Sequence, residues 1–295
     1  MWEEPCLSGT RGSGTVFFSG CPLGCVFCQN RPIALGKAGR VIGTQRLAEI
    51  FLELQDKGAH NINLVTPTHY VPSIIEAVAL ARAGERCRTE NPDISDDGET
   101  PDISGTGIRR LNIPVVYNTG SYETPETIRA LKGTVDIFLP DLKYDDPELA
   151  NRMCRAPDYP EAAKQAIDEM VKIAGPPVFD EEGLLRKGVI VRHLILPGHT
   201  HDSIRLLKYL HETYGDEVIV SVMNQYTPMP GVEAAAPELG RRVTRREYAR
   251  VLDAALEMGL TRAYYQEGET ASESFIPAFD GEGIGPVRYK TDREE

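Results

Sequence analysis

The chain has 295 residues, a formal net charge of −12 and 41% hydrophobic residues, enough for one barrel-sized domain or two smaller ones with a substantial core. No run of about 18 apolar residues and no signal-peptide pattern follows Met1-Trp2-Glu3-Glu4, which reads as a soluble, cytoplasmic protein without a membrane span. The acidic balance argues against nonspecific binding to nucleic-acid phosphates and favours a small-molecule or protein substrate.

In chain order, the first signal is the β-branched and aromatic run Gly12 to Gly20, which reads as a strand delivering the loop Gly20 to Asn30 at its C-terminal end. That loop holds Cys21, Cys25 and Cys28. Soft thiolates select zinc, copper(I) or iron-sulfur clusters, and their close spacing lets the sulfurs converge on one centre. A closed site wants four ligands, and the loop supplies three. A cluster bound here keeps one iron open to an exogenous ligand, as catalysis needs. Gly20 and Gly24 permit unusual backbone angles, and Pro22 stiffens the turn. The competing reading is a zinc knob completed by Cys6, Cys87, Cys154 or a histidine. A disulfide is disfavoured because three clustered cysteines leave one over.

Beyond the loop, Thr44 opens a helix with Leu47, Ile50, Phe51 and Leu54 on one face, ending near Gly58. A strand over 61–66 leads to a helix through Ile74, Ile75, Val78 and Leu80. Further strands are predicted at 113–118, 135–139, 189–196 and 218–223, each followed by helical stretches. Thr124-Pro125-Glu126 and the capping box Thr244 to Glu247 mark two helix starts. Residues 82–110 break the beat with turn formers and charges and read as a disordered insertion, and the tail 281–295 reads as loose. Near-continuous apolar strands alternating with amphipathic helices argue for a parallel sheet with helical cover in a single domain, with its core over 12–266. In a parallel barrel the strand ends converge on one face. Here they bring Thr66, Thr68, Asn118, Asp141, Lys143 and Arg192 toward the cysteine loop, with Asn30 at the end of that loop.

The spacing Cys-x3-Cys-x2-Cys, with Phe27 before the last cysteine, resembles the radical S-adenosylmethionine (SAM) superfamily. The resemblance implies an open (β/α)6 partial TIM barrel, a [4Fe-4S] cluster on Cys21, Cys25 and Cys28, and SAM chelated to its open iron. Over most of the chain the similarity is to the pyruvate formate-lyase activating-enzyme-like group, through Phe27-Cys28-Gln29-Asn30, Asp141-Leu142-Lys143, and the Arg192 strand with Leu196-Pro197-Gly198. It implies SAM contacts at Asp141, Lys143 and Arg192 and places Phe27 near adenine; Asn30, Thr66, Thr68 and Asn118 are further candidates for the same ligand. It also implies a flavodoxin- or ferredoxin-like electron donor and, as one substrate, a glycyl-radical enzyme.

Two features depart from true activases. Thr66-Pro67-Thr68-His69 stands where they carry a Gly-Gly-Glu-like motif for the SAM amino group, and no eight-iron insert is present, so a single cluster is expected. Relatives of this kind often have more chain before Glu4-Pro5-Cys6. The readings therefore run from glycyl-radical activase, through a radical SAM enzyme acting on a small molecule, to a noncatalytic zinc- or cluster-binding protein. No catalytic side chain beyond the cofactor ligands is assigned, and neither His69 nor His193 is expected to be one.

Overall fold

In a computed structural model of the chain, residues 3–86, 108–266 and 284–285 are described. A short helix, α1 (Pro5–Ser8), precedes the strand β1 (Gly14–Phe17), the cysteine loop and α2 (Arg31–Ala34). The strand-and-helix beat then runs α3 (Thr44–Asp56), β2 (Ile62–Val65) and α4 (Val71–Ala83). The antiparallel pair β3 (Glu85–Arg86) and β4 (Ile108–Arg109) follows. Next come β5 (Val115–Thr119), α5 (Pro125–Ala130), β6 (Ile137–Pro140), α6 (Pro147–Cys154) and α7 (Tyr159–Ala174). The chain continues through β7 (Val178–Phe179), β8 (Leu185–Leu194), α8 (Thr200–Tyr214), β9 (Ile219–Met223), α9 (Arg245–Glu257) and β10 (Ala263–Tyr265).

The parallel strands stand in the order β1-β2-β5-β6-β8-β9-β10, and β7 lies antiparallel on β8. Among the described residues β1 and β10 remain the two ends of this path, so the barrel is not closed. The six expected strands are present. The seventh, β10, pairs Ala263 with Val220 and was missed because three residues carry no readable periodicity.

Alternation along the strands sorts side chains between two cores. Leu64, Tyr117, Phe138, Val191 and Val220 point outward and pack with helix residues such as Phe51, Ile74 and Leu207. Val116, Ile137, Leu139, Ile190 and Ile219 point into the lumen, where they meet Cys6 and Leu7 of α1. The sequence reading had left this short helix out. It plugs the incomplete barrel, and Asn61 Nδ2 donates to the Leu7 carbonyl at 2.9 Å to hold it there. Burying Leu7 in this way contributes about 2 kcal/mol.

The helix starts follow their sequence signals. Thr244 and Glu247 form the reciprocal capping box, and Thr124 accepts from the Thr127 amide. The expected insertion is narrower than 82–110. Arg82 and Ala83 complete α4, β3 pairs with β4, and residues 87–107, with Cys87, lie outside the described residues. Of the tail expected to be loose, Ile284 and Gly285 are held by the Arg46 guanidinium at 3.1 and 2.8 Å; the rest lies outside the described residues. No helix among the described residues is long and apolar enough to cross a membrane.

Candidate active site

At the C-terminal ends of the parallel strands lies a cavity of about 380 Å³. The cysteine loop forms one wall. Gly20 and Gly24 have φ of 96° and 58°, in the left-handed region that glycine enters without a steric penalty. The loop is tied down on two sides: the Gly20 and Cys21 amides donate to the Ile33 and Ala34 carbonyls at 2.8 and 3.0 Å, and Val26 donates to Met153 at 2.9 Å. Gly120 approaches the loop so closely that a Cβ would stand 2.8 Å from Leu23.

Cys21, Cys25 and Cys28 all line the cavity as free thiols. Their electrostatics differ. A hydrogen bond from Cys154 brings Cys25 down to about 7 against the opposing effect of burial, and the Lys143 charge helps. Burial pushes Cys28 up to about 11 and raises Cys21 as well. Three soft donors, two of them in surroundings that penalise a free thiolate charge, fit a cationic iron-sulfur centre. Of the other cysteines, Cys6 is in the lumen core and Cys154 lies behind Cys25 in α6. Among the described residues no three His, Cys, Asp or Glu side chains gather closely enough to hold one metal ion.

Opposite the loop stands a set of charges. A bridge between Asp141 and Arg192 continues β6 beyond Pro140, so Asp141 and Lys143 fall on one side and form an ion pair at 2.5 Å. Arg192 faces the lumen, where its guanidinium meets Glu3 at 3.0 Å, Glu4 at 3.7 Å and Asp141 at 3.8 Å. The next residue, His193, alternates away and binds Ser203 of α8 and the Leu142 carbonyl, each at 2.8 Å. Burial works against both cations, yet Asp141 holds Lys143, and Glu4, Glu3 and Asp141 hold Arg192, above their ordinary values. The Arg192 Nε and Glu4 Oε2 are buried without hydrogen-bond partners.

A smaller lobe of about 180 Å³ adjoins this set and is walled by Phe27, Leu194, Leu196 and Tyr226. Phe27 meets Tyr226 edge-on at 6.0 Å. Asn30 lines both spaces.

Thr66 and Asn118 line the main cavity, and the Thr66 amide donates to the Asn118 carbonyl at 2.9 Å. Thr66 has a φ of 58°, a left-handed conformation that costs a β-branched residue about 1–2 kcal/mol. Thr68 does not line the cavity, contrary to expectation; its hydroxyl donates to buried Glu123 at 2.7 Å. The cavity thus gathers Cys21, Cys25, Cys28, Asn30, Thr66, Asn118, Asp141, Lys143 and Arg192, with Phe27 in the adjoining lobe.

Sequence reasoning missed Glu3, Glu123 and Gln266. Gln266 accepts from the Asn224 amide at 2.7 Å and donates to Gln225 at 3.2 Å, joining two cavity-lining amides. An isolated Gln after a three-residue strand carries no motif. Glu123, four residues past the end of β5, was readable only as the approach to a helix cap.

The family model described as the radical SAM superfamily matches residues 15–210. Uncharacterized protein MJ0674 of Methanocaldococcus jannaschii is 28% identical over 257 residues, which cover 85% of this chain and 64% of that one; the chain thus spans less than two thirds of this relative. Streptococcus suis SuiB superimposes with a TM-score of 0.50 at 14% identity, over 86% of this chain and 49% of its own. Methylornithine synthase (PylB) does so with a TM-score of 0.46 at 14% identity, over 86% and 65%. At this identity the SuiB likeness is one of fold.

Proposed function

Because the chain belongs to the radical SAM superfamily, whose members use a [4Fe-4S] cluster and S-adenosylmethionine, we propose that it is a cytoplasmic enzyme abstracting hydrogen from a substrate, with Cys21, Cys25 and Cys28 as the cluster ligands. When bound, the reduced cluster and SAM together supply reductive cleavage of a carbon-sulfur bond and a carbon-centred radical. The observation that carries this reading is the meeting of three free thiols with Asp141, Lys143 and Arg192 around one cavity at the strand ends.

The chain's own residues bind, orient and exclude water. Asp141, Lys143 and Arg192 form a preorganised polar wall for a ligand that carries both a carboxylate and hydroxyls. Phe27, Tyr226, Leu194 and Leu196 provide a flat apolar lobe of the kind an adenine ring fills. The buried floor made by α1 keeps bulk water from entering through the lumen.

The electron comes from an acidic carrier protein of flavodoxin or ferredoxin type. Its docking face is the exposed part of the stretch Pro5 to Ala48, a stretch that contains no Asp or Glu in a chain of net charge −12. Within it Arg31, Lys37 and Arg40 are exposed beside the cysteine loop.

For the substrate we propose a glycine in a partner protein, on the similarity to activating enzymes. The run Thr66-Pro67-Thr68 in place of a Gly-Gly-Glu-like motif favours a second reading, a small molecule. The test is anaerobic reduction with dithionite in the presence of SAM, followed by chromatography for 5′-deoxyadenosine and methionine. Formation of both supports the enzyme, and a glycine-centred radical appearing in an added glycyl-radical protein supports the activase. A cluster-loaded protein that yields neither product contradicts the proposal.

A further inference from the structure

Two residues other than glycine adopt left-handed backbone just past the strand ends that border the cavity. Thr66 (φ 58°) directly follows β2, and Ser121 (φ 64°) follows β5, its neighbour in the sheet. Strain of this kind persists only where surrounding contacts over-determine it, so something must hold both strand ends. One carboxyl reaches both. Glu123 Oε1 accepts from the Thr68 hydroxyl, two residues past Thr66, and from the Thr119 hydroxyl at the end of β5. Thr119 in turn accepts from the Ser121 amide at 3.2 Å. The tie runs through four residues: Thr68, Glu123, Thr119, Ser121.

The surroundings show that Glu123 is no ordinary surface acid. It is 6% exposed, does not line the cavity, and has no Arg or Lys ion pair among the described residues. Its second oxygen, the Tyr117 hydroxyl and the Ser121 hydroxyl are buried without hydrogen-bond partners. A buried carboxyl with an unpaired oxygen costs stability, and keeping it in a strand-end tie implies a role beyond packing.

What the tie supports is the cavity wall. Thr66, Asn118 and Thr119 all line the space. With its amide already given to Asn118, Thr66 is left with two acceptors, its carbonyl and its hydroxyl. In this chain Thr66 to His69 stands where activating enzymes place an acidic motif, and the structure brings a carboxyl to that stretch from the turn that follows the adjacent strand.

We propose that Glu123 is a positioning residue for S-adenosylmethionine: without touching the ligand, it clamps the ends of β2 and β5 so that the Thr66 acceptors meet the ligand's ammonium. This rests on the radical SAM reading of the site.

The test measures SAM binding by calorimetry on the cluster-loaded protein, with iron content and the melting temperature of the cluster-free protein taken alongside. Glu123→Ala is expected to weaken SAM at least about tenfold while iron content holds, and Glu123→Gln, which keeps a carbonyl acceptor, to restore most of the affinity. Thr68→Val removes one arm of the clamp without emptying the buried site, and should weaken SAM by about threefold to fivefold even if the alanine variant does not fold. Unchanged affinity in Thr68→Val, or affinity, iron and melting temperature falling together in both Glu123 variants, would overturn the clamp. Wild-type protein that holds the cluster yet does not bind SAM would instead overturn the reading beneath it, and the clamp with it.

Discussion

Arg192 and Glu3 stand 189 residues apart in sequence and 3.0 Å apart in the fold, their ion pair closing the top of the lumen above α1. Asn63 donates to the other Glu3 oxygen at 2.9 Å, so the N-terminal segment is fastened to β2 and β8 at once. Replacing Glu3 with alanine removes a charge-assisted hydrogen bond from a buried guanidinium, while Glu4 and Asp141 remain near it. The expected cost is about 2 kcal/mol, read as a lower midpoint in urea denaturation. A midpoint equal to that of the wild type would show that the segment is not anchored through Arg192.

Cysteine substitutions separate ligands from neighbours. Alanine at Cys21, Cys25 or Cys28 is expected to reduce iron after anaerobic reconstitution by more than about tenfold, because a three-thiolate set has no spare donor. Alanine at Cys154, whose thiol sits behind Cys25 and donates to the Ala150 carbonyl at 3.1 Å, should leave iron and sulfide near wild-type levels. Loss of iron in the Cys154 variant would make it a ligand and reopen the zinc-knob alternative.

Much of this site was legible in the sequence, and the reason is local. Three thiols within eight residues need no fold to be recognised, and the alternation that sends Arg192 inward and His193 outward is fixed by the strand period. Asp141 and Lys143 needed one further fact, the bridge to Arg192 that carries the strand past Pro140. The contacts of Glu3 with Arg192 and of Glu123 with Thr68 could not be read in this way. Each depends on bringing together segments joined by no motif, and α1 and β10 are too short, at four and three residues, for any periodicity.

Burial, only partly offset by hydrogen bonds from Thr119 and Thr68, raises the Glu123 carboxyl above its ordinary value near 4.5, and the Asp141 charge adds to the rise. The folded state therefore keeps this proton where the unfolded chain gives it up. The stability it contributes is full below about 4.5 and is lost as the pH rises through the elevated folded value. Wild-type protein should lose melting temperature relative to Glu123→Gln as the pH rises above about 4.5. Parallel curves for the two proteins would mean that the carboxyl is not protonated in the fold.

The exposed cations beside the cysteine loop give a kinetic prediction. Reversing Arg31, Lys37 and Arg40 to glutamate should slow cluster reduction by an acidic flavodoxin about tenfold at low salt, with the difference shrinking as ionic strength rises. Reduction by dithionite, which needs no docking, should change far less. Equal slowing with both reductants would place the effect on the cluster rather than on docking.

The most direct test of the cofactor assignment is electron paramagnetic resonance of the anaerobically reconstituted, reduced protein with and without SAM. The expected result is a [4Fe-4S]+ signal that SAM shifts and that is lost in Cys25→Ala. A cluster signal indifferent to SAM, or zinc retained in place of iron, would contradict it.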